Sequence, residues 1–208
     1  MNAALVVTVL ALAALLAAEY RGERLGVWLA KPVASGGFVA LALTRGAVGT
    51  GYGRAVLIAL GLAWVGDVAL IPESPRALKL GLGAFLLGHL GFVAGFALRG
   101  ASLGWSALAL AALCVPALAV GRWLLPRVPD TLRVPVAAYI AVISTMVAFA
   151  VGTVALHSRG LILGGALAFY LSDLSVARDR FVAPGFGNKA WGLPLYYGAQ
   201  VALAWTVA

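Results

Sequence analysis

The sequence is a succession of long apolar runs separated by short polar breaks, and that pattern leaves few folds open. Eight runs can be read, at about residues 3–19, 25–44, 54–71, 77–98, 102–124, 134–156, 160–177 and 189–207. Most match the roughly 17–25 residues a helix needs to cross hydrocarbon. The breaks hold turn-forming residues: Gly49 to Gly53, Pro72 with Pro75, and Pro126 with Pro129. With 63% of its 208 residues hydrophobic and 11% charged, the chain has too few polar side chains to cover a soluble core. The expectation is an all-α polytopic membrane bundle of about eight transmembrane helices. Residues 1–208 form a single integral membrane domain, with no loop long enough for a second one.

The formal net charge of +8 does not point to nucleic acid, because the basic residues fall singly or in small groups between the apolar runs. Loops one, three, five and seven hold ten: Arg21, Arg24, Arg76, Lys79, Arg122, Arg127, Arg133, Arg178, Arg180 and Lys189. The even loops hold four: Arg45, Arg54, Arg99 and Arg159. The positive-inside rule places the odd-numbered loops in the cytoplasm and both termini outside. No Lys or Arg precedes the first run, so that run is expected to be a retained helix and not a cleaved signal. The Ala/Gly/Leu/Arg-rich composition points to a bacterial inner membrane. The single cysteine, Cys114, is read as a buried small hydrophobe. Small residues spaced four apart, Ala84 with Gly88 and Gly91 with Gly95, are read as helix-packing positions. The Gly-rich segment Pro184 to Lys189 has no P-loop pattern.

Ionisable groups inside hydrocarbon are expensive and mark functional sites by default. Lys31 lies in the second run, Asp67 in the third, His89 in the fourth and Asp173 in the seventh; Tyr139, Tyr196, Tyr197 and Gln200 add polar groups in the sixth and eighth. At about 1.5 Å per residue, Lys31, Asp67, Asp173, Tyr139 and Tyr196 lie about 6–10 Å from the odd-loop end, and His89 lies about 15–18 Å in. Helices that alternate in direction thus bring their polar groups to one layer. The layer implies a polar cavity open toward the odd-loop side, with apolar walls, suited to an amphipathic ligand. Blander readings exist for single members. Lys31 can snorkel to the interface, His89 can be a packing residue, and Tyr196 and Tyr197 can belong to an aromatic belt. His157, at the opposite interface, is read as structural.

A repeat is also visible. Asp67 and Asp173 are 106 residues apart, each in the third helix of a four-helix half, and Lys31-Pro32 and Val134-Pro135 begin corresponding helices. Two parallel four-helix halves would place the two aspartates face to face near a pseudo-twofold axis.

The same residues resemble the YhhN family of membrane proteins. The resemblance is carried by Lys31-Pro32, Gly66-Asp67, Phe85-x-x-Gly88-His89, Tyr139 with Met146, and Tyr170-x-Ser172-Asp173, over about residues 25–200. Phe92 departs from it, standing where a tyrosine is expected. The family includes lysoplasmalogenases. The resemblance therefore implies a hydrolase that cleaves the vinyl ether bond of a lysoplasmalogen, a lysophospholipid. The products are a fatty aldehyde and glycerophosphoethanolamine or glycerophosphocholine. Two carboxyl groups close together in a low-dielectric site can share one proton at neutral pH. Such a pair suits the chemistry, in which an enol ether is protonated and an oxocarbenium ion captured by water, a problem that glycosidases also solve with two carboxylates. Asp67, Asp173 and His89 are the implied catalytic residues, with the acid and base not distinguished. Lys31, Tyr139, Tyr196, Tyr197, Gln200 and Tyr170 are the implied substrate-binding residues. No cofactor and no metal are called for. Membrane lipids and the lysophospholipid are the expected partners, and the oligomeric state is left open. A proton-coupled transporter, or a lipid-binding protein without catalysis, is the competing reading of the same buried charges.

Overall fold

The computed structural model describes residues 2–158 and 160–208; Arg159, counted above among the even-loop charges, lies outside the described residues. The described residues form eight α-helices: α1 (Ala3–Arg21), α2 (Arg24–Thr44), α3 (Gly51–Ala69), α4 (Pro75–Arg99), α5 (Leu103–Leu124), α6 (Asp130–His157), α7 (Gly160–Phe181) and α8 (Phe186–Trp205). Lipid offers backbone amides no hydrogen-bond partners, so each segment must satisfy its own, which only a helix does locally. The ends are fixed by local chemistry. Asn2, Thr50, Ser74 and Ser102 accept the first free amides of α1, α3, α4 and α5 through their side chains. Gly22 closes α1 at φ 68°, a left-handed geometry that glycine adopts without strain.

Seven of the helices are long and apolar enough to cross a membrane; α8 falls outside that set. Its 20 residues would span, but Asn188, Lys189, Tyr196, Tyr197 and Gln200 lower its apolar content, and all except Lys189 are buried inside the bundle. α7 runs four residues past the expected end, because Arg178, Asp179 and Arg180 continue the helix to Phe181.

The helices pack as a repeat. α1 with α2, α2 with α3 and α3 with α4 recur as α5 with α6, α6 with α7 and α7 with α8, and the crossing of α2 on α8 recurs as α6 on α4. The symmetry is broken around α8, whose contact with α3 is not matched to the same extent between α4 and α7, and most plainly at its contact with α1. α1 runs against α8, whereas their counterparts α5 and α4 do not run against each other among the described residues. α5 is attached along α6 and is the most lipid-exposed helix, with only Ser106 and Leu124 buried. Cys114 is consequently exposed, which corrects the expectation of a buried thiol. A residue on α5 faces lipid unless it lies on the one stripe that meets α6.

The even-loop end is closed. The Tyr52 and Thr206 hydroxyls bond to each other. Arg99 donates to the Thr206 carbonyl at 3.0 Å and stacks 4.5 Å over Tyr52. Arg45 donates to the Trp205 carbonyl at 3.1 Å and lies 4.1 Å over its ring. The polar groups at this end tie the C-terminus of α8 to the ends of α2, α3 and α4.

The attachment of α5 depends on Gly152 of α6. A Cβ there would stand 2.1 Å from Ser106 Oγ and 2.7 Å from the Ser102 carbonyl oxygen. Gly152→Ala should cost about 1–3 kcal/mol, as overpacking does, and lower the thermal midpoint in detergent. Adding Ser106→Gly should recover part of the loss but not all, since the Ser102 carbonyl remains.

Candidate functional site

A cavity of about 580 Å³ opens on the odd-loop side, within the 300–1,000 Å³ usual for small-molecule sites. Residues of loops one and three (Gly22, Glu73) and of the ends of α7 and α8 (Asp179, Lys189) form its mouth. Lys31, Asp67, Tyr139, Tyr170, Asp173 and Tyr196 line it further in. The layer deduced from helix depths is therefore a single chamber, contributed by α2, α3, α6, α7 and α8.

Helical periodicity decides which residues reach it. On α8, Lys189, Gly192, Leu193 and Tyr196 recur at helical spacing and line the wall. Tyr197 is turned about 100° away and packs toward α2. Gln200 stays on the lining stripe but lies one turn beyond Tyr196, below the floor. On α4, Leu78, Leu82 and Phe85 line the wall; His89 continues the stripe one turn deeper and is fully buried. Tyr197 and Gln200, expected at the substrate, and His89 accordingly do not line the cavity. Both of the Gln200 amide atoms are buried without a hydrogen-bond partner. Tyr196 and Tyr197 are buried, so neither belongs to an aromatic belt.

The two carboxyl groups have different neighbours. Asp67 Oδ2 accepts from Ser35 Oγ at 2.6 Å and from Tyr196 Oη at 2.6 Å, and Lys31 Nζ stands 3.7 Å from Oδ1. Ser35 lies 3.0 Å from the Tyr197 hydroxyl, so Tyr197 supports Asp67 from behind. Asp173 Oδ2 accepts from Tyr139 Oη at 2.7 Å and lies 3.6 Å from His89 Nε2. His89 Nδ1 is 2.7 Å from the Phe85 carbonyl oxygen. A carbonyl only accepts, so Nδ1 carries the hydrogen, and in the neutral ring Nε2 turns its lone pair toward Asp173. Ser35 escaped the sequence reading; its only signal was the four-residue step from Lys31, which puts both on one helical face.

These contacts obey the repeat. Asp67 of α3 is held by α2 and α8; Asp173 of α7 is held by α6 and α4. The corresponding positions are offset by 106 (67 to 173), 108 (31 to 139) and 107 (89 to 196) residues. Each carboxyl thus sits between a group from its own half and a group from the other half.

Below the carboxyl groups the floor is aromatic. Phe85, Phe169 and Tyr196 meet edge to face at 5.5–6.3 Å between centroids, and His89 packs 4.4 Å from Phe169. Phe92 is fully buried against Phe96 and Phe169, so a hydrocarbon core occupies the place where a tyrosine is expected. The Tyr170 hydroxyl is buried with no hydrogen-bond partner, which leaves a donor available at the wall.

Comparison with known proteins agrees with the sequence resemblance. The sequence pattern of the YhhN family matches residues 26–207. A lysoplasmalogenase of Mycobacterium bovis is 33% identical over 172 residues, covering 79% of this chain and 64% of that protein, and one of Mycobacterium tuberculosis aligns equally well. The lysoplasmalogenase TMEM86A of Bos taurus is 27% identical over 157 residues, covering 72% of this chain and 63% of that protein. The chain thus spans less than two thirds of the length of these relatives. No solved structure matches it.

Removing Lys31 would leave the nearly buried Asp67 carboxylate without its cation. Lys31→Met should destabilise the bundle by on the order of 2 kcal/mol, less than for a pair sealed from water, because the cavity admits it. Lys31→Met with Asp67→Asn should be more stable than Lys31→Met alone. Denaturant unfolding in detergent checks both.

Proposed function

The chain belongs to the YhhN family, and from that premise we propose that it is a lysoplasmalogenase. In this reading the cavity binds a lysoplasmalogen, and Asp67 and Asp173 hydrolyse its vinyl ether bond, giving a fatty aldehyde and glycerophosphoethanolamine or glycerophosphocholine. The observation that carries the reading is the unequal surroundings of two carboxyl groups in one chamber. Asp67 meets only donors: two hydroxyls and an ammonium. Two hydroxyl donors and a nearby ammonium favour the ionised form of this group. Asp173 faces an imidazole lone pair, an arrangement that is repulsive unless a proton lies on one of the two. In this reading the transferable proton is assigned to the Asp173–His89 pair, with Asp173 as the group at the cavity and His89 behind it as its positioning partner.

The steps follow from that division. Asp173 delivers a proton to the β-carbon of the enol ether, the carbon one bond further from oxygen. The C=C pair forms the new C–H bond, and the positive charge spreads over the α-carbon and oxygen. The Asp67 carboxylate stabilises that cation and takes a proton from the water that adds to the α-carbon. The hemiacetal then collapses: its hydroxyl gives its proton to the Asp173 carboxylate, the C–O bond to glycerol breaks, and Asp67 gives its proton to the glycerol oxygen. One water is consumed and the carboxyl groups return to their starting states. The Lys31 ammonium and the Tyr139 and Tyr196 hydroxyls orient the carboxyl groups and the ether oxygen. Tyr170 supplies a further hydroxyl at the wall.

A transport pathway needs an exit. The polar groups at the opposite end are engaged in holding helix ends together, which favours a one-sided chamber.

The test is incubation of the purified protein with vinyl-ether, alkyl-ether and ester lysolipids, measuring aldehyde and fatty acid. Aldehyde from the vinyl ether alone is expected. Asp67→Asn and Asp173→Asn should each lower turnover by about 10²–10⁴, the range for losing a positioned acid or base, with unfolding midpoints near that of the parent. Near-full turnover in both variants would overturn the assignment. Solute flux in proteoliposomes without any aldehyde would favour the transporter.

A further inference from the structure

We propose that the slot between α4 and α5 is a lateral doorway in the membrane, through which the single hydrocarbon chain of the lipid substrate enters and in which it lies during reaction; this rests on the lysolipid reading above. The cavity has two chemically distinct sides. Its mouth is charged, with Glu19, Arg24, Glu73, Asp179, Arg180 and Lys189 in balanced signs. The other side is purely aliphatic: Leu78 and Leu82 of α4, Val120 and Leu124 of α5, and Val136 and Ile140 of α6. Tyr139 adjoins Ile140 on α6, and Ala177, one turn from Asp173 on α7, packs against the Val136 cluster, so both polar groups border the aliphatic side.

The packing shows why this side is open. α4 and α5 each lie along α6 but not along each other, so α6 forms the back of a slot whose front faces lipid. The two helices are joined by only three residues, 100–102, at the even-loop end. Their other ends, where the carboxyl groups lie, carry no such constraint. The repeat supplies the control. At the corresponding position α8 and α1 pack together, and there the Lys189 ammonium meets Glu19 at 2.6 Å and Tyr20 meets Phe186 at 5.1 Å between centroids. Leu78, Leu82, Val120 and Ile140 remain half-buried, as the walls of an unfilled apolar slot would be. In one copy of the motif the gap is bridged; in the other it is left open and lined with aliphatic side chains.

A single-chain lipid fits that shape in the orientation it already has in a leaflet. Its headgroup stays level with the charged mouth and its chain runs beside α4 and α5. The bond joining chain to glycerol then falls at the boundary between the two surfaces, which is where Asp173 lies. Entry through the slot spares the chain a passage through water. A removed CH₂ group costs about 0.8 kcal/mol on exposure to water, so lateral entry is the low-barrier route.

Two measurements decide it. An ester lysophosphatidylcholine with a diazirine at its chain end, irradiated with the protein in lipid nanodiscs, should label peptides covering residues 78–82 and 120–124. The label should form equally in Asp173→Asn. Labelling confined to α1, α2 or α8 would overturn the doorway. Second, Leu82→Trp and Val120→Trp should raise KM for a long-chain lysoplasmalogen by about tenfold with little change in kcat for a short, water-soluble enol ether, the signature of lost binding. Leu10→Trp, on the exposed face of α1, should do neither. Equal effects on both substrates would overturn it. The labelling reads the slot whether or not aldehyde is released, so failure of the proposed reaction and failure of the doorway are separable.

Discussion

A carboxylate in hydrocarbon costs several kcal/mol unless donors surround it, and the Asp67 site is organised around that constraint. Its donors come from three other positions in the fold: Lys31 and Ser35 on α2 and Tyr196 on α8. Hydrogen bonds to a charged group contribute about 1.5–3 kcal/mol each, so the site links α2, α3 and α8 in addition to their apolar contacts. The glycines and alanines of these helices permit the approach. A Cβ on Gly66, beside Asp67, would reach 2.7 Å from the Phe85 ring. The same closeness that seats Asp67 thus also seats the aromatic floor beneath it.

The second carboxyl repeats the plan with different chemistry. The Lys31 position becomes Tyr139 and the Tyr196 position becomes His89. The ammonium is lost and an imidazole is gained, so two equivalent sites acquire opposite electrostatic characters while sharing one chamber. Neither half can build its own site, because each carboxyl takes a partner from the other half. The departure from symmetry in packing follows the same logic. Where α1 closes on α8 the bundle is sealed by an ion pair, and where α5 stands off from α4 the wall is aliphatic.

Much of this was legible in the sequence. Eight helices, and the gathering of Lys31, Asp67, Tyr139, Asp173 and Tyr196 near one membrane face, follow from run lengths and a fixed rise per residue. Direction around the helix axis was harder to read. Tyr197 shares the depth of the site yet is rotated off the cavity, and Gln200, one turn deeper, lies under its floor. Ser35 was overlooked because a serine in an apolar run carries no charge to betray it. Cys114 was misplaced for the opposite reason: in lipid an apolar environment does not require burial, so composition cannot tell an inward face from an outward one.

The sequence by itself indicated the number of helices, the layer of the polar groups and a candidate repeat between the two halves, because bilayer thickness and helical rise convert residue number directly into depth. The tertiary structure alone decided which groups touch, how the two carboxyl groups differ, and where the bundle is left open. Those depend on helix rotation and on contacts between residues more than a hundred positions apart, such as Lys31 and Tyr196 converging on Asp67. They are set by how small and large side chains interlock, and no single segment contains that information.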